Sequence, residues 1–555
     1  MENQRFFLLV ALGCVLFLIW QAWLGEQAAK RAAEDPVASA PSTPAAPGEG
    51  TAPATVPDIP ARATRDAAGN VESPLPEAPA IAQGLETARR IRVTTDLFEV
   101  EIDTLGGDVR HLGLRTYPES LERQDQPFEL MVDRGSQLHV AQSGLRAIEG
   151  EAPDHYQRFT AERERYVLQE GQDRLEVPLV WQGDTGVRVT KTYVFHRDRF
   201  VIDVGFAVEN QSDAPWVGSQ YRQLRRTPPQ EGTTMFGIYT YTGGVLSSQA
   251  TKYEKVSFSD MVDEDLERQI TGGWIAMIQH YFLTSWIPQN QDQINTAYSR
   301  STPDNHYILG IISHDLLRLD PGQAGVLESQ LYAGPKLQDR LAAVAPNLNL
   351  TVDYGFLTII AQPLFWLLDA IHGVVGNWGW AIVLLTVLIK AAFFKLSEAS
   401  YRSMANMRRL APQLQRLKER YGEDKQRMQQ EMMNLYKQEK INPIGGCLPI
   451  LVQIPVFIAL YWMLLESVEL RQAPWILWIQ DLAVRDPFYV LPLLMGGSMF
   501  IQQQLNPAPP PPLHAQGKKA LPVVVTGFFM LFTARVLGYR VWIKRFVKAQ
   551  QKRIT

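Results

Sequence analysis

Hydrophobic residues follow two patterns along this chain. Between Glu86 and about Pro335 they recur at every second position in short runs broken by Gly, Pro, Asn and Asp, the period of half-buried strands. The clearest run is Phe200–Glu209: Phe200, Ile202, Val204, Phe206 and Val208 share one face, while Asp203 and Glu209 take the other. Val187–Phe195 and Ile91–Ile102 alternate in the same way. Many short strands with no helical pattern between them predict an all-β sandwich over 86–335 rather than a parallel α/β sheet.

Elsewhere the apolar residues come in solid blocks. Phe6–Leu24 is long enough to cross a hydrocarbon core, so 1–24 is expected to be an uncleaved transmembrane anchor. Residues 25–85 are rich in Ala and Pro and poor in large apolar side chains, which predicts a disordered linker. Beyond Tyr354 apolar blocks fall at 354–375, 380–396, 444–465, 488–505 and 519–532, the last containing Leu521–Phe532. The first includes Gln362, Pro363, Asp369 and His372 and runs into Gly376-Asn377-Trp378-Gly379; these features suit an amphipathic helix in the interface. The other four are expected to span.

Charge sets the topology. Residues 397–440 hold ten Lys/Arg against six Asp/Glu, which keeps them cytoplasmic, and Glu398–Tyr421 and Asp424–Lys440 read as a helical hairpin about Gly422. With the amino terminus also cytoplasmic, the single crossing 380–396 leaves the β domain outside the cytoplasmic membrane. Segment 533–550 carries Arg535, Arg540, Lys544 and Arg545. It either crosses as an atypical final span or lies on a surface as a basic amphipathic helix; crossing brings the basic tail inside.

The overall formal charge of -4 gives no push toward nucleic acid, and no nucleic-acid sequence recognition is expected. Cys14 and Cys447 have no ligand partner at metal-binding spacing. Phosphate loops, nucleophile elbows, zinc motifs and dinucleotide fingerprints are absent, so no cofactor, metal or catalytic residue is expected, and the chain is not expected to be an enzyme.

Lys390 is the residue that does not fit its surroundings. It lies in AIVLLTVLIKAAFF, ten residues past Trp380, roughly 15 Å down a helix. A lysine at mid-membrane costs about 2.5–3.5 kcal/mol, so it either faces a wet cavity or snorkels to the cytoplasmic edge. Thr386 shares its face, and Gln453 lies inside the next span; they either hydrate a groove or bond between helices. Met428, Met432, Leu435 and Tyr436 form a stripe that is either the hairpin's packing face or an adaptable receiving surface.

The stretch NPIGGCLPILVQIPVFIALYWML, followed by VELRQAPWILWIQDL and DPFYVLPLLMG, closely resembles bacterial members of the YidC/Oxa/Alb insertase family. The resemblance extends back through QPLFWLLDAIHGVVGNWGWAIVLLTVLIK to the anchor, and forward to about Leu505. It implies a multidomain membrane protein: an α-helical transmembrane bundle of five to six spans plus a large all-β periplasmic super-sandwich domain in the bacterial inner membrane.

The implied activity is insertion and folding of membrane proteins through a hydrated groove and a hydrophobic slide, alone or with the Sec translocon. Implied partners are nascent membrane proteins, the Sec translocon, the ribosome or targeting machinery, and lipid. By the same resemblance Lys390 takes the place of a groove cation that is usually Arg, and Tyr539 matches a groove tyrosine or its neighbour. On their positions, Thr386 and Gln453 are the candidates to line that groove, and Ile454, Pro455 and Phe457 to form the slide. The competing classes are a small-solute transporter or channel and a membrane-anchored periplasmic carbohydrate-active enzyme. Neither accounts for the basic hairpin and the multiple apolar blocks together.

Overall fold

The computed structural model describes residues 64–65, 71–72, 85–134, 137–228, 241–398, 410–421, 424–439, 448–484 and 486–505. The expected anchor 1–24, nearly all of the linker 25–85, and the segments 519–532 and 533–550 lie outside the described residues.

Alternation produces two sheets of eight and eleven strands, running from Arg90–Thr94 to Ala324–Pro335. In the smaller sheet Val201–Asn210 pairs antiparallel with Val187–His196 on one side and Ala324–Pro335 on the other. Its side chains Ile202, Val204, Phe206 and Val208 are at most 1% exposed, as their shared parity requires. In the larger sheet Trp216–Arg226 pairs with Gln137–Glu149 and Tyr307–Ser313. Burying each large apolar side chain stabilises by about 1.5–3 kcal/mol, and a one-residue slip would turn a whole strand's core set outward, so register is strongly fixed.

One expected strand is two. Ile91–Ile102 folds into the hairpin Arg90–Thr94 and Phe98–Asp103, with Ile91 opposite Ile102 and Val93 opposite Val100. The Thr95 hydroxyl accepts hydrogen bonds from the backbone N–H groups of Leu97 and Phe98 and closes the turn. The buried positions change from odd to even between Leu97 and Phe98, which is the trace of the reversal in the sequence. A short helix, α1 (Phe258–Asp263), interrupts the strands behind a Ser257/Asp260 capping box, and α2 (Gln338–Val344) follows the last strand.

Beyond Gly355 the described chain is mostly helical, with a loop between Glu466 and Val490. A 3₁₀ turn at Gly355–Leu357 leads into α3 (Thr358–Val375). Gly376, at φ 69, ends α3 in the left-handed conformation that suits glycine. The Asn377 side chain accepts from the Trp380 N–H at 3.1 Å and starts α4 (Trp378–Ala392). The break is therefore Gly376–Asn377, narrower than the four-residue turn expected. Nor is 380–396 one continuous helix: α4 stops at Ala392, Phe393 turns, and helix resumes at 394–398.

The hairpin appears as α5 (Ala411–Tyr421) and α6 (Lys425–Gln438), the latter capped by Asp424. Residues 399–409, which belong to the first hairpin helix expected at Glu398–Tyr421, are outside the described set. The remaining helices are α7 (Leu448–Glu466), with Pro455 inside it, and α8 (Val490–Leu505). Among the described residues Gly355–Val375 is long and apolar enough to cross a membrane, while Trp378–Ala392 and Val452–Glu466 are apolar but shorter.

Candidate functional site

Lys390 occupies the last turn of α4, where the helix dipole favours a cation, and its side chain is exposed. Its Nζ lies 4.9 Å from the centroid of the Phe457 ring on α7, a cation–π arrangement. Gln453 sits one turn before Phe457 on the same face of α7, and its buried Nε2 has no hydrogen-bond partner. Thr386 is half-buried one turn before Lys390, and its hydroxyl donates to the Ile382 carbonyl of its own helix at 2.8 Å. It therefore has only acceptor lone pairs left for a neighbour. Tyr539 lies outside the described residues.

Along α7, Ile454 and Phe457 are exposed and Pro455 is half-buried. Exposed apolar side chains continue on α4 with Val387 and Leu388 and on α8 with Leu493 and Leu494. A soluble protein rarely carries apolar faces of this extent, so their complement is lipid or another apolar chain. On α6, Met428, Met432, Leu435 and Tyr436 are all half-buried, as a stripe at helical spacing against α5 would be, and Met433 beside them is 49% exposed.

Sequence reasoning missed the seam between the sandwich and α7. The Lys336 ammonium meets the Glu466 carboxylate at 2.9 Å, with side chains 2% and 10% exposed. His280 bonds through Nε2 to the Leu465 carbonyl at 2.8 Å; burial holds its imidazole below the usual histidine range, so it is the neutral ring that donates. Arg471 donates to the carbonyls of Pro118 and Glu119 while its guanidinium lies over the rings of Phe128 and Phe282. Burial pushes Glu469 up to about 7, so this acid does not add a full negative charge beside Glu466 at neutral pH. At the start of α4 a Cβ on Gly379 would come within 2.2 Å of Trp475, so glycine is what lets the 471–484 loop close on this helix. The sequence signal for the seam was weak: only the charges on Glu466, Glu469 and Arg471, immediately after an apolar block, hinted at protein rather than solvent around them.

A β-sandwich fastened to apolar helices, with a cation set against an aromatic ring between two of them, defines a membrane protein with a large extramembrane domain. Comparison with known proteins makes this specific. Residues 90–367 match the family described as YidC periplasmic domain, and residues 370–555 the family described as 60Kd inner membrane protein. The chain is 50% identical to the membrane protein insertase YidC of Thioalkalivibrio sulfidiphilus over 97% of this chain and 95% of that protein. It is 48% identical to the membrane protein insertase YidC of Nitrosococcus oceani over 100% of this chain and 99% of that one.

The chain belongs to the YidC family of membrane protein insertases. It is an inner-membrane protein with a periplasmic domain. The family match runs through residue 555 and so includes the basic carboxyl end with Arg535, Arg540, Lys544 and Arg545. Among solved structures, a galactose mutarotase related enzyme from Lactobacillus acidophilus is 9% identical, covering 44% of this chain and 97% of that one, with a TM-score of 0.29. At that score the likeness carries no argument about sugars.

Proposed function

We propose that this protein inserts the hydrophobic segments of other proteins into the inner membrane and assists their folding, alone or beside the Sec translocon, without covalent change to the client. The observation that supports this most is Lys390, a cation on an apolar helix, held against Phe457, whose helix carries one turn earlier the unpartnered Nε2 of Gln453. Together with Thr386 and Tyr539 these residues are assigned to a hydrated groove. Ile454, Pro455 and Phe457 form the slide along which the client's apolar segment moves into lipid. Met428, Met432, Leu435 and Tyr436 receive the client on the cytoplasmic side, with the ribosome or targeting machinery delivering it.

The topology that fits has five to six spans: 1–24, 380–396, 444–465, 488–505, 519–532 and the atypical 533–550. Helix α3 lies in the interface, because Gln362 and Asp369 are exposed on it alongside Ile359 and Trp366. Burial of roughly 20 apolar residues in lipid supplies the driving free energy, so no nucleotide is required. Lys390 lowers the cost of carrying an acidic flank: opposite charges 4 Å apart attract by about 4 kcal/mol at an effective dielectric of 20.

The path is tested by placing a photo-crosslinking amino acid at Ile454, at Gln453 and, as a lipid-facing control, at Leu494, during insertion of a stalled single-span client. Adducts at Ile454 and Gln453 that appear with the client and vanish on its release are expected. Equal labelling at Leu494 would contradict a defined groove and slide.

A further inference from the structure

Among the described residues no carboxylate is paired with Lys390; the Phe457 ring is what its ammonium meets. The next lysine, Lys395, is 90% exposed and pairs with Glu398, so the α4 end distinguishes a cation held by an aromatic face from one that has reached solvent and an acid. Phe457 is itself 39% exposed, so the ring both fixes the ammonium and leaves it open to an incoming group. A ring quadrupole attracts a cation less strongly than a carboxylate does where water is scarce, so such a hold yields to an acidic client and resumes when the client leaves.

We propose that Phe457 is a positioning residue for Lys390: its ring parks the ammonium inside the groove in the resting state and surrenders it to a carboxylate on the client's translocated flank. This rests on the assignment of Lys390 as the groove cation and goes beyond it, since Phe457 then acts through charge as well as by offering apolar surface. Gln453, one turn before Phe457 on the same face of α7, has a buried Nε2 without a hydrogen-bond partner, a donor that an arriving carboxylate can take up. Without the ring, a flexible lysine at the end of α4 is free to turn toward water, where Lys395 meets Glu398.

The experiment uses the full-length protein in liposomes and two single-span clients that differ only in tail residues, Asp in one and Asn in the other. Phe457→Leu keeps an apolar side chain on the slide but removes the ring face, and it is expected to slow the Asp-tailed client about threefold more than the Asn-tailed client, whose rate reports any change in the slide surface itself. Phe457→Trp restores the Asp-to-Asn rate ratio, and Phe457→Leu adds no further discrimination between the two clients in a Lys390→Ala background. Equal slowing of both clients, no slowing of either, or an unchanged effect in the Lys390→Ala background overturns the proposal. If Lys390→Ala itself treats the two clients alike, the groove-cation assignment fails with it; if Lys390→Ala discriminates and Phe457→Leu does not, only the positioning role falls.

Discussion

Replacing Lys390 by Ala is expected to slow insertion of clients with acidic translocated tails about tenfold, a barrier increase of about 1.4 kcal/mol, while clients with uncharged tails change less than about twofold. That is a fraction of the roughly 4 kcal/mol available to an ion pair at 4 Å in a partly wet site, because water in the groove replaces some of the lost attraction. Lys390→Arg should retain most of the rate, since the charge is preserved; any gain would report the bidentate fork that lysine lacks. Protease protection of the translocated tail, followed in time for matched acidic and uncharged clients, measures both. Equal rates for the two clients in Lys390→Ala would remove the electrostatic role.

The largest stability effect is expected at the seam. Lys336 and Glu466 are both buried and meet at 2.9 Å, and the Lys336 ammonium also reaches the Thr351 carbonyl at 3.4 Å. Lys336→Met leaves the Glu466 carboxylate buried without its partner, and breaking such a pair costs about 3–5 kcal/mol. Replacing both, as Lys336→Met with Glu466→Leu, removes the two desolvation penalties along with the attraction and should lie within about 1 kcal/mol of the parent. Thermal unfolding in detergent, followed by tryptophan fluorescence, should place the single variant far below the parent and the double variant close to it. A single variant as stable as the double would mean that the pair is hydrated in solution.

These two sites also mark how far the sequence could be read. Strand faces were legible because alternation is local: Val187, Val189, Tyr193 and Phe195 point into the sandwich as their parity demands. The same parity puts Lys191 inside, which no local rule would accept. It is tolerated because carbonyls of Gly106 and Ser143 accept from its Nζ at 3.0 and 2.9 Å and Asp108 lies 3.9 Å away, while burial still lowers its ammonium to about 8. Those partners come from the turn before Val109–Ser120 and from the strand Gln137–Glu149, and are invisible in the run that contains Lys191.

Lys390 was legible for the opposite reason, since a charge in an apolar block stands out whatever its neighbours are. Its aromatic partner was not: Phe457 is one of many apolar residues in its block, and only the packing of α4 beside α7 selects it. The seam was the least legible of all, because His280, Lys336 and Arg471 act on partners up to 353 residues away in the chain. The interruption at Phe393 had no signal either, as that block contains neither Pro nor Gly.

The central claim, that this chain by itself catalyses insertion without a nucleotide, is tested most directly in liposomes holding only the purified protein, to which a small single-span client with an acidic external tail is added. Protection of that tail from external protease is expected, well above empty liposomes and unaffected by removing all ATP and GTP. Protection no greater than in empty liposomes, while a relative with an uninterrupted final span succeeds under the same conditions, would contradict it.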